Sequence, residues 1–268
     1  RHNAVCIWDV ESGHLRETLH GHSTNAGIVA YAPNGHLLAN ALRSGTIELW
    51  NVDLREHSSL VRFLRGHEST LNALTFNPAN VGLLASCGRD MMVRLWDTES
   101  GSELATLPSY GGNGAVQFDA TGRFLAVEGQ HHSVALWDVG DPNMPTRVLA
   151  FEGHADSPLS LTFHPDGSQM VSGSLDRTVR LWDTKTGQMM KTIGRHDGYV
   201  TSVAFSPDGQ FVASAGKDGV AHIWCAESGE RVHTLLTPGP YDGMNITGVT
   251  GINEAQRTSL KELGAVEE

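Results

Sequence analysis

The chain has 268 residues, of which 40% are hydrophobic and 18% are charged, a composition typical of a globular protein with a sizeable buried core. It has 19 Lys and Arg residues and 30 Asp and Glu residues. The resulting net charge of −11 argues against nucleic acid as a partner, because binding to phosphates needs basic clusters. No apolar run approaches the roughly 18 residues of a membrane span and no basic-then-apolar leader is present, so we expect no membrane span and no signal peptide in this stretch.

Short runs of alternating apolar and polar residues, separated by turn signals, predict β-strands along most of the chain. The first two strands span residues 4–10 and 15–19. Five longer units follow, beginning near residues 21, 66, 109, 153 and 194. In the fourth unit, four predicted strands are joined by turns such as Pro165-Asp166-Gly167, where Pro fixes φ and Gly accepts a positive φ. A sheet of this size cannot bury its own faces, so it must pack on copies of itself.

The third unit has diverged most from this pattern. It carries Ser-Tyr-Gly-Gly-Asn-Gly at residues 109–114, where the other units carry Gly-His. Its outer connection at residues 140–145 contains two prolines and cannot be a ladder strand. After the fifth unit, Pro238 and Pro240 end the pattern. Beyond them the sequence predicts a short strand at residues 244–252 and a helix at residues 253–263, with Asn253 as its N-cap.

Each unit contains one tryptophan near its end, and the six tryptophans, at positions 8, 50, 96, 137, 182 and 224, are 41–46 residues apart. Units that begin near Gly-His, end near Trp-Asp and span about 40–45 residues resemble the WD-repeat family. The resemblance covers nearly the whole chain. It implies an all-β fold, a β-propeller of five four-stranded WD-repeat blades with a leading half-blade, and a short C-terminal helix. The chain is thereby divided into the second half of a preceding blade at residues 1–20, five blades at residues 21–236 and a tail at residues 237–268.

The tail carries a second resemblance. Residues 240–251, Pro-Tyr-Asp-Gly-Met-Asn-Ile-Thr-Gly-Val-Thr-Gly, are similar to a segment after the last blade of large bacterial WD-repeat proteins. In many of those proteins the propeller is the sensor arm of a signal-transduction NTPase, so the resemblance implies a bacterial signalling protein with a catalytic domain upstream. The predicted strands are too few for six complete blades. We therefore expect a fragment with an incomplete ring, which self-associates through unpaired sheet faces and edges.

Alignment of the units places four polar or aromatic residues where WD repeats carry a hydrogen-bonded tetrad. The complete sets are His67, Ser86, Asp90 and Trp96; His154, Ser172, Asp176 and Trp182; and His196, Ser214, Asp218 and Trp224. The donors and acceptors of such a set match, so it can be buried. Ser, His and Asp also perform nucleophilic catalysis, but recurrence in three units favours a structural role. The first unit is partial, with His22, Asn40, Ser44 and Trp50.

Other catalytic and cofactor motifs are absent from the sequence. It has no phosphate-binding loop of the Gly-x-x-x-x-Gly-Lys-Ser/Thr type, no closely spaced cysteine pair and no His-Glu-x-x-His helix. His131 and His132 are adjacent, so on a strand they would point to opposite sides, which favours a polar turn over a metal site. The cysteines, Cys6, Cys87 and Cys225, are far apart and are expected to be buried apolar side chains in a reducing cytoplasm. We expect no metal, no cofactor and no catalytic residue.

The family resemblance also implies a binding surface. In that family the side chains just before the tetrad Asp and near the start of the innermost strand line the channel mouth. Alignment places Arg43, Arg89, Gln130, Leu175 and Lys217 there, with Tyr199 nearby. Three of the five turn residues are cationic in an acidic chain, which favours an acidic protein or peptide as the partner. The alternative is that they are ordinary solvated charges of β-turns.

The sequence therefore predicts a non-catalytic cytoplasmic scaffold or sensor module that binds a protein or a ligand. Two alternatives involve catalysis: a regulatory arm of an NTPase whose catalytic domain lies upstream, and a propeller hydrolase that uses channel residues. The absence of a non-repeating set of acid, base and nucleophile favours the scaffold.

Overall fold

The computed structural model describes residues 4–19, 26–52, 57–111, 114–236, 247 and 254–262. Within these residues there are 22 β-strands and one α-helix, α1 (Glu254–Glu262). Two strands, β1 (Val5–Trp8) and β2 (Leu15–Leu19), form a two-stranded sheet, the half-blade. The remaining strands form five four-stranded antiparallel sheets, blades 1 to 5. This confirms the predicted all-β propeller fold of four-stranded blades.

Each blade uses four consecutive strands, here called a, b, c and d in chain order. Blade 1 contains β3 (Ala26–Tyr31), β4 (Leu37–Leu42), β5 (Ile47–Asn51) and β6 (Ser59–Leu64). Blade 2 contains β7 (Leu71–Phe76), β8 (Leu83–Gly88), β9 (Met92–Asp97) and β10 (Glu103–Pro108). Blade 3 contains β11 (Val116–Phe118), β12 (Phe124–Glu128), β13 (Val134–Asp138) and β14 (Thr146–Phe151). Blade 4 contains β15 (Pro158–Phe163), β16 (Gln169–Ser174), β17 (Thr178–Asp183) and β18 (Met189–Arg195). Blade 5 contains β19 (Val200–Phe205), β20 (Phe211–Gly216), β21 (Val220–Cys225) and β22 (Arg231–Leu236).

Irregular pairing occurs at equivalent places in the blades. The register between strands c and d shifts directly before the tryptophan in all five blades, as between Leu181 and Trp182. The half-blade has the same shift between Ile7 and Trp8. Such bulges increase the local twist of a strand pair, so strands c and d are expected to twist more strongly next to the tryptophan of each blade.

The hydrophobic core consists of the seams between successive blades. All six residues of β8 are buried, because both faces of this strand are covered. Leu84 and Trp96 pack against Ile47 and Leu49 of blade 1, whereas Ala85 and its neighbours pack against blade 3. Similar clusters join the half-blade to blade 1, blade 3 to blade 4 and blade 4 to blade 5. Stacking thus provides the burial that one small sheet lacks.

The first and last sheets expose apolar side chains. Trp8 of the half-blade is 58% exposed, and Leu235 and Leu236 of β22 are 58% and 72% exposed. Cys6 is also exposed, so the prediction of a buried thiol is wrong at this position, because no further sheet covers that face of β1 among the described residues. Cys87 is buried, and burial raises its pKa to about 11.

Several predictions concern the less regular parts of the chain. His131 and His132 do not lie on a strand but in a 3-10 turn at Gln130–His132, because the b strand of blade 3 ends at Glu128. The proline-containing segment at residues 140–145 is a turn, and β14 begins at Thr146. The predicted N-cap Asn253 and most of the predicted strand at residues 244–252 lie outside the described residues.

Candidate functional site

The predicted tetrads form continuous hydrogen-bond chains. In blade 4, Trp182 Nε1 donates to Ser172 Oγ at 2.7 Å, Ser172 Oγ lies 2.6 Å from His154 Nε2, and His154 Nδ1 lies 2.8 Å from Asp176 Oδ2. The corresponding distances are 2.8, 2.7 and 2.8 Å in blade 2. They are 2.8, 2.8 and 3.1 Å in blade 5.

Only one direction of proton donation satisfies all four groups. The indole N–H can only donate, so the serine oxygen accepts from it and its own hydroxyl donates to His Nε2. The histidine then carries its proton on Nδ1 and donates to the carboxylate. Burial lowers the pKa of His67 more than the neighbouring Asp90 raises it, which favours this neutral form in blade 2.

The tetrad serines cannot serve as nucleophiles in this arrangement. Ser86 and Ser172 are fully buried and Ser214 is 2% exposed. Each hydroxyl is already engaged by both an indole and an imidazole. A catalytic serine must instead present its oxygen to a substrate beside an oxyanion-stabilising group.

The tetrad Asp connects two loops. In blade 4, Asp176 Oδ2 accepts from the backbone N–H of Ala155 at 3.0 Å, while Oδ1 accepts from the backbone N–H of Thr178 at 2.9 Å and from its hydroxyl at 2.6 Å. Asp90 and Asp218 make equivalent backbone bonds in their own blades. Burial opposes ionisation of Asp90, but the interactions with His67 and the hydrogen bonds from the N–H groups of Glu68 and Met92 together outweigh it and lower the pKa of this carboxyl. Each carboxylate therefore holds the d–a loop and the b–c turn in a fixed relation.

Blades 1 and 3 depart from the tetrad. In blade 1, Trp50 Nε1 and Asn40 Nδ2 both donate to Oε2 of the fully buried Glu48, at 3.3 and 3.0 Å. Ser44 is exposed, and its hydroxyl accepts from the N–H of Thr46 within the turn. His22 lies outside the described residues. In blade 3, Trp137 Nε1 is buried without a hydrogen-bond partner in the described part of the chain.

The predicted partner-binding residues lie at equivalent b–c turns. Arg43, Arg89, Gln130 and Lys217 are exposed, and Leu175 is half-buried. The N–H of Lys217 donates to the carbonyl of Tyr199 at 2.8 Å, so these two residues are neighbours. Because strands alternate in direction, all b–c turns and d–a loops lie at one end of the blades. We call these turns and loops the rim.

Two rim residues were missed by sequence reasoning. Met91 and Arg177 follow the tetrad Asp in blades 2 and 4 with φ of 62° and 71°, in the left-handed region that side chains disfavour. Blades 1 and 5 have Gly45 and Gly219 at this position. A non-glycine residue there costs about 1 kcal/mol or more. The glycines of the other blades were the signal that could have identified Met91 and Arg177 as unusual.

Acidic side chains accompany the cations of the rim. Glu68, Asp156 and Asp197 are exposed on the d–a loops. The N–H groups of Glu68 and Asp197 bond to Asp90 and Asp218, which places these two acids beside the b–c turns of blades 2 and 5. The rim is thus a surface of mixed charge.

The comparison with known families follows the same blade pattern. Residues 13–51, 58–97, 145–183 and 187–225 match the WD40 family, described as "WD domain, G-beta repeat". The chain belongs to the WD40 repeat family. Each match begins near strand d of one blade and ends with strand c of the next. The matches omit residues 98–144, which contain strands a, b and c of blade 3 with its altered tetrad positions.

Relatives of this WD40 chain come from fungi and a plant. It is 30% identical over 230 residues to "Nuclear distribution protein PAC1" of Arthroderma benhamiae, covering 74% of this chain and 49% of that protein. It is 26% identical over 219 residues to "Nuclear distribution protein nudF" of Aspergillus niger, covering 73% of this chain and 48% of that protein. It is 28% identical over 200 residues to "Transcriptional corepressor LEUNIG_HOMOLOG" of Arabidopsis thaliana, covering 74% of this chain and 24% of that protein. The chain thus spans at most about half the length of these relatives.

Two further observations concern the described part of the WD40 chain. It contains no group of three or more His, Cys, Asp or Glu side chains arranged to hold a metal ion. Its helix is too short and too polar to cross a membrane.

Proposed function

We propose that this WD40 chain is a non-catalytic interaction module of the cytoplasm that binds a protein or peptide partner at the rim. The observation that carries the proposal is the double anchoring of rim loops by the tetrad carboxylates. A surface held in this way is preorganised, so a partner does not have to order it on binding. The names of the relatives describe a nuclear distribution protein and a transcriptional corepressor, and neither is the name of an enzyme.

The chemistry of the rim favours a partner segment that combines acidic and apolar residues. Arg89 and Lys217 offer exposed positive charges, while Tyr199 and Met91 offer exposed apolar area. Arg and Tyr are common in binding hot spots. The neighbouring acids disfavour a partner of uniform negative charge, so acidic residues of the partner must align with the cations.

Selection of a random decapeptide library on the chain tests this proposal. The selected peptides are then titrated against the wild type and the double variant Arg89→Glu/Lys217→Glu. We expect this variant to bind at least about tenfold more weakly, with the larger loss at low salt, because charge reversal changes an attraction into a repulsion.

The matched control is Arg16→Glu/Arg147→Glu, which makes the same charge change at exposed positions of outer strands. It should leave affinity within about twofold of the wild type. Equal affinity of the rim variant and the control, or selection of no peptide at all, would contradict the proposal.

The wider setting of the module is also a proposal. The similarity of residues 240–251 to a bacterial tail supports an arm of a signalling NTPase, whereas the fungal and plant relatives support a eukaryotic regulator. The reading frame upstream of Arg1 distinguishes them, because an NTPase requires a phosphate-binding loop there. The alternative function is a propeller hydrolase. The three tetrad serines, which would be its most obvious nucleophiles, are buried.

A further inference from the structure

The first residue of the a–b turn determines how neighbouring blades meet at the end opposite the rim. Asn77 of blade 2 reaches blade 3, where its Nδ2 donates to the carbonyl of Gly122 at 2.6 Å. His164 of blade 4 reaches blade 5, where its ring meets Phe205 edge-on with centroids 5.1 Å apart and covers Gly209. A side chain therefore crosses each of these two seams.

Asp119 of blade 3 occupies the same position but does not cross its seam. Its Oδ1 accepts from the N–H of Phe124 at 2.8 Å, and its Oδ2 accepts from the N–H and hydroxyl of Thr121 at 3.2 and 2.5 Å. All three bonds lie within its own blade. A Cβ atom added at Gly167, the turn glycine of blade 4, would meet nothing within 4 Å. The seam between blades 3 and 4 is therefore not crossed by the side chain at this position, and we call it the open seam.

The open seam contains a cavity of about 430 Å³, which we call the seam pocket. Its inner walls are formed by Phe124, Leu136, Leu149 and Phe163. Its outer part is formed by half-exposed or exposed side chains, including Val148, Asp166 and Lys185. The cavities at the 2–3 and 4–5 seams, of about 280 and 360 Å³, are lined mainly by polar residues and turn backbone. An apolar cavity with a few polar groups is the usual form of a ligand site.

Acidic residues outnumber basic ones in the lining of the seam pocket. Asp166 is exposed, and among the described residues its side-chain hydrogen bonds, from Ser168 and the His164 ring, all go to Oδ1. These bonds, with Ser168 contributing most, lower the pKa of Asp166 to about 2, so it is ionised at neutral pH. Asp119 adds a second carboxylate to the lining, against the single cation Lys185.

We propose that the seam pocket binds a partner peptide in which an aromatic or branched apolar side chain is adjacent to a basic residue. The apolar side chain lies against Phe124, Leu149 and Phe163, and the cation binds Asp166. The pocket is at the opposite end of the blades from the rim, so this is a second site, and its occupancy does not depend on the function proposed for the rim.

Three peptides serve as probes for the full chain labelled with ¹⁵N. They are acetyl-Gly-Ser-Phe-Arg-Ser-Gly-amide, the same peptide with Ala for Phe, and the same peptide with Glu for Arg. Titration is followed through the amide shifts of Gly167 and Thr184, since both residues line the pocket. We expect the first peptide to saturate these shifts and each of the others to bind about tenfold more weakly, because each lacks one of the two contacts.

Variants of the chain separate the two contacts. Val148→Trp places a large side chain at the mouth from a half-exposed position, and Leu149→Trp fills the inner part. Each should abolish binding of the Phe-Arg peptide. Asp166→Asn should lower the affinity for the Phe-Arg peptide about fivefold, because the contact with the cation is lost. It should not lower the affinity for the peptide with Glu in place of Arg, which lacks that contact.

Val232→Trp is the matched control, because Val232 occupies the position of Val148 on the d strand of blade 5 and is exposed to a similar degree, 45% against 49%. It should bind the Phe-Arg peptide as the wild type does. The proposal is overturned if no shift occurs at about 5 mM Phe-Arg peptide, a concentration that detects even very weak binding. It is also overturned if Val148→Trp binds like Val232→Trp, or if all three peptides bind equally.

Discussion

Replacing Ser172 by alanine tests whether the tetrad stabilises the propeller. Its hydroxyl lies 2.7 Å from Trp182 Nε1 and 2.6 Å from His154 Nε2, in a fully buried position. Alanine leaves both nitrogens buried without this partner, and the space of one lost oxygen is too small for a water molecule. An unsatisfied buried group costs about 1–3 kcal/mol and two groups lose this partner, so we expect the free energy of unfolding to fall by about 2–6 kcal/mol.

Guanidinium chloride unfolding, followed by tryptophan fluorescence, measures this loss as a lower midpoint. Ser100→Ala, at an exposed turn, is the matched control and should change the free energy of unfolding by less than about 0.5 kcal/mol. A second comparison uses the tryptophans. Trp182→Phe should cost about 1–2 kcal/mol more than Trp137→Phe, because Trp137 Nε1 has no hydrogen-bond partner to lose among the described residues. If Ser172→Ala and Ser100→Ala unfold at the same midpoint, the tetrad has no stabilising role.

Two further predictions concern stability and association. The pKa of His67 is lower in the folded than in the unfolded chain, so the unfolded chain gains this proton first and stability should fall as pH drops below about 6.5. The pKa of Asp90 is also lowered in the fold, so a second loss of stability should follow below about pH 4. A guanidinium chloride unfolding midpoint that stays constant from about pH 8 to about pH 3 would contradict both pKa shifts. The chain should self-associate through the exposed Trp8 and Leu236 surfaces, and Trp8→Ser with Leu236→Ser should reduce the mass measured by light scattering. A monodisperse wild-type monomer would show that these surfaces do not associate.

The repeated part of the fold was predictable because each unit contains its own local signals. Alternating apolar residues and the Pro-Asp-Gly turns specify strand and turn within one unit, independently of its neighbours. The predicted strand at residues 15–19 agrees with β2 at both ends. The tetrad residues also align by repetition, so their proximity followed once the units were superposed.

Residues at positions that depart from the repeat were not predictable in the same way. Glu48 faces Asn40 across blade 1 and accepts from Trp50, although blades 2 and 4 have an arginine at its position. The positive φ values of His131 and His132, 52° and 60°, were not predicted. Propensity does not reveal a left-handed backbone at a non-glycine residue, because the surrounding structure imposes it.

The seam pocket shows how one side chain changes a repeated interface. At the seam between blades 2 and 3, the group that faces Asn77 is the backbone carbonyl of Gly122, which accepts a hydrogen bond. Asn77 can cross to such a carbonyl because its amide has donors, whereas a carboxylate has only acceptors. In blade 4 the equivalent carbonyl, that of Gly167, already accepts from the hydroxyl of Thr184 at 2.6 Å. The carboxylate of Asp119 therefore turns to the N–H donors of its own turn, and the space that a crossing side chain would occupy stays empty. The exchange of an amide for an acid thus removes the crossing side chain from this seam and adds negative charge to the lining of its cavity.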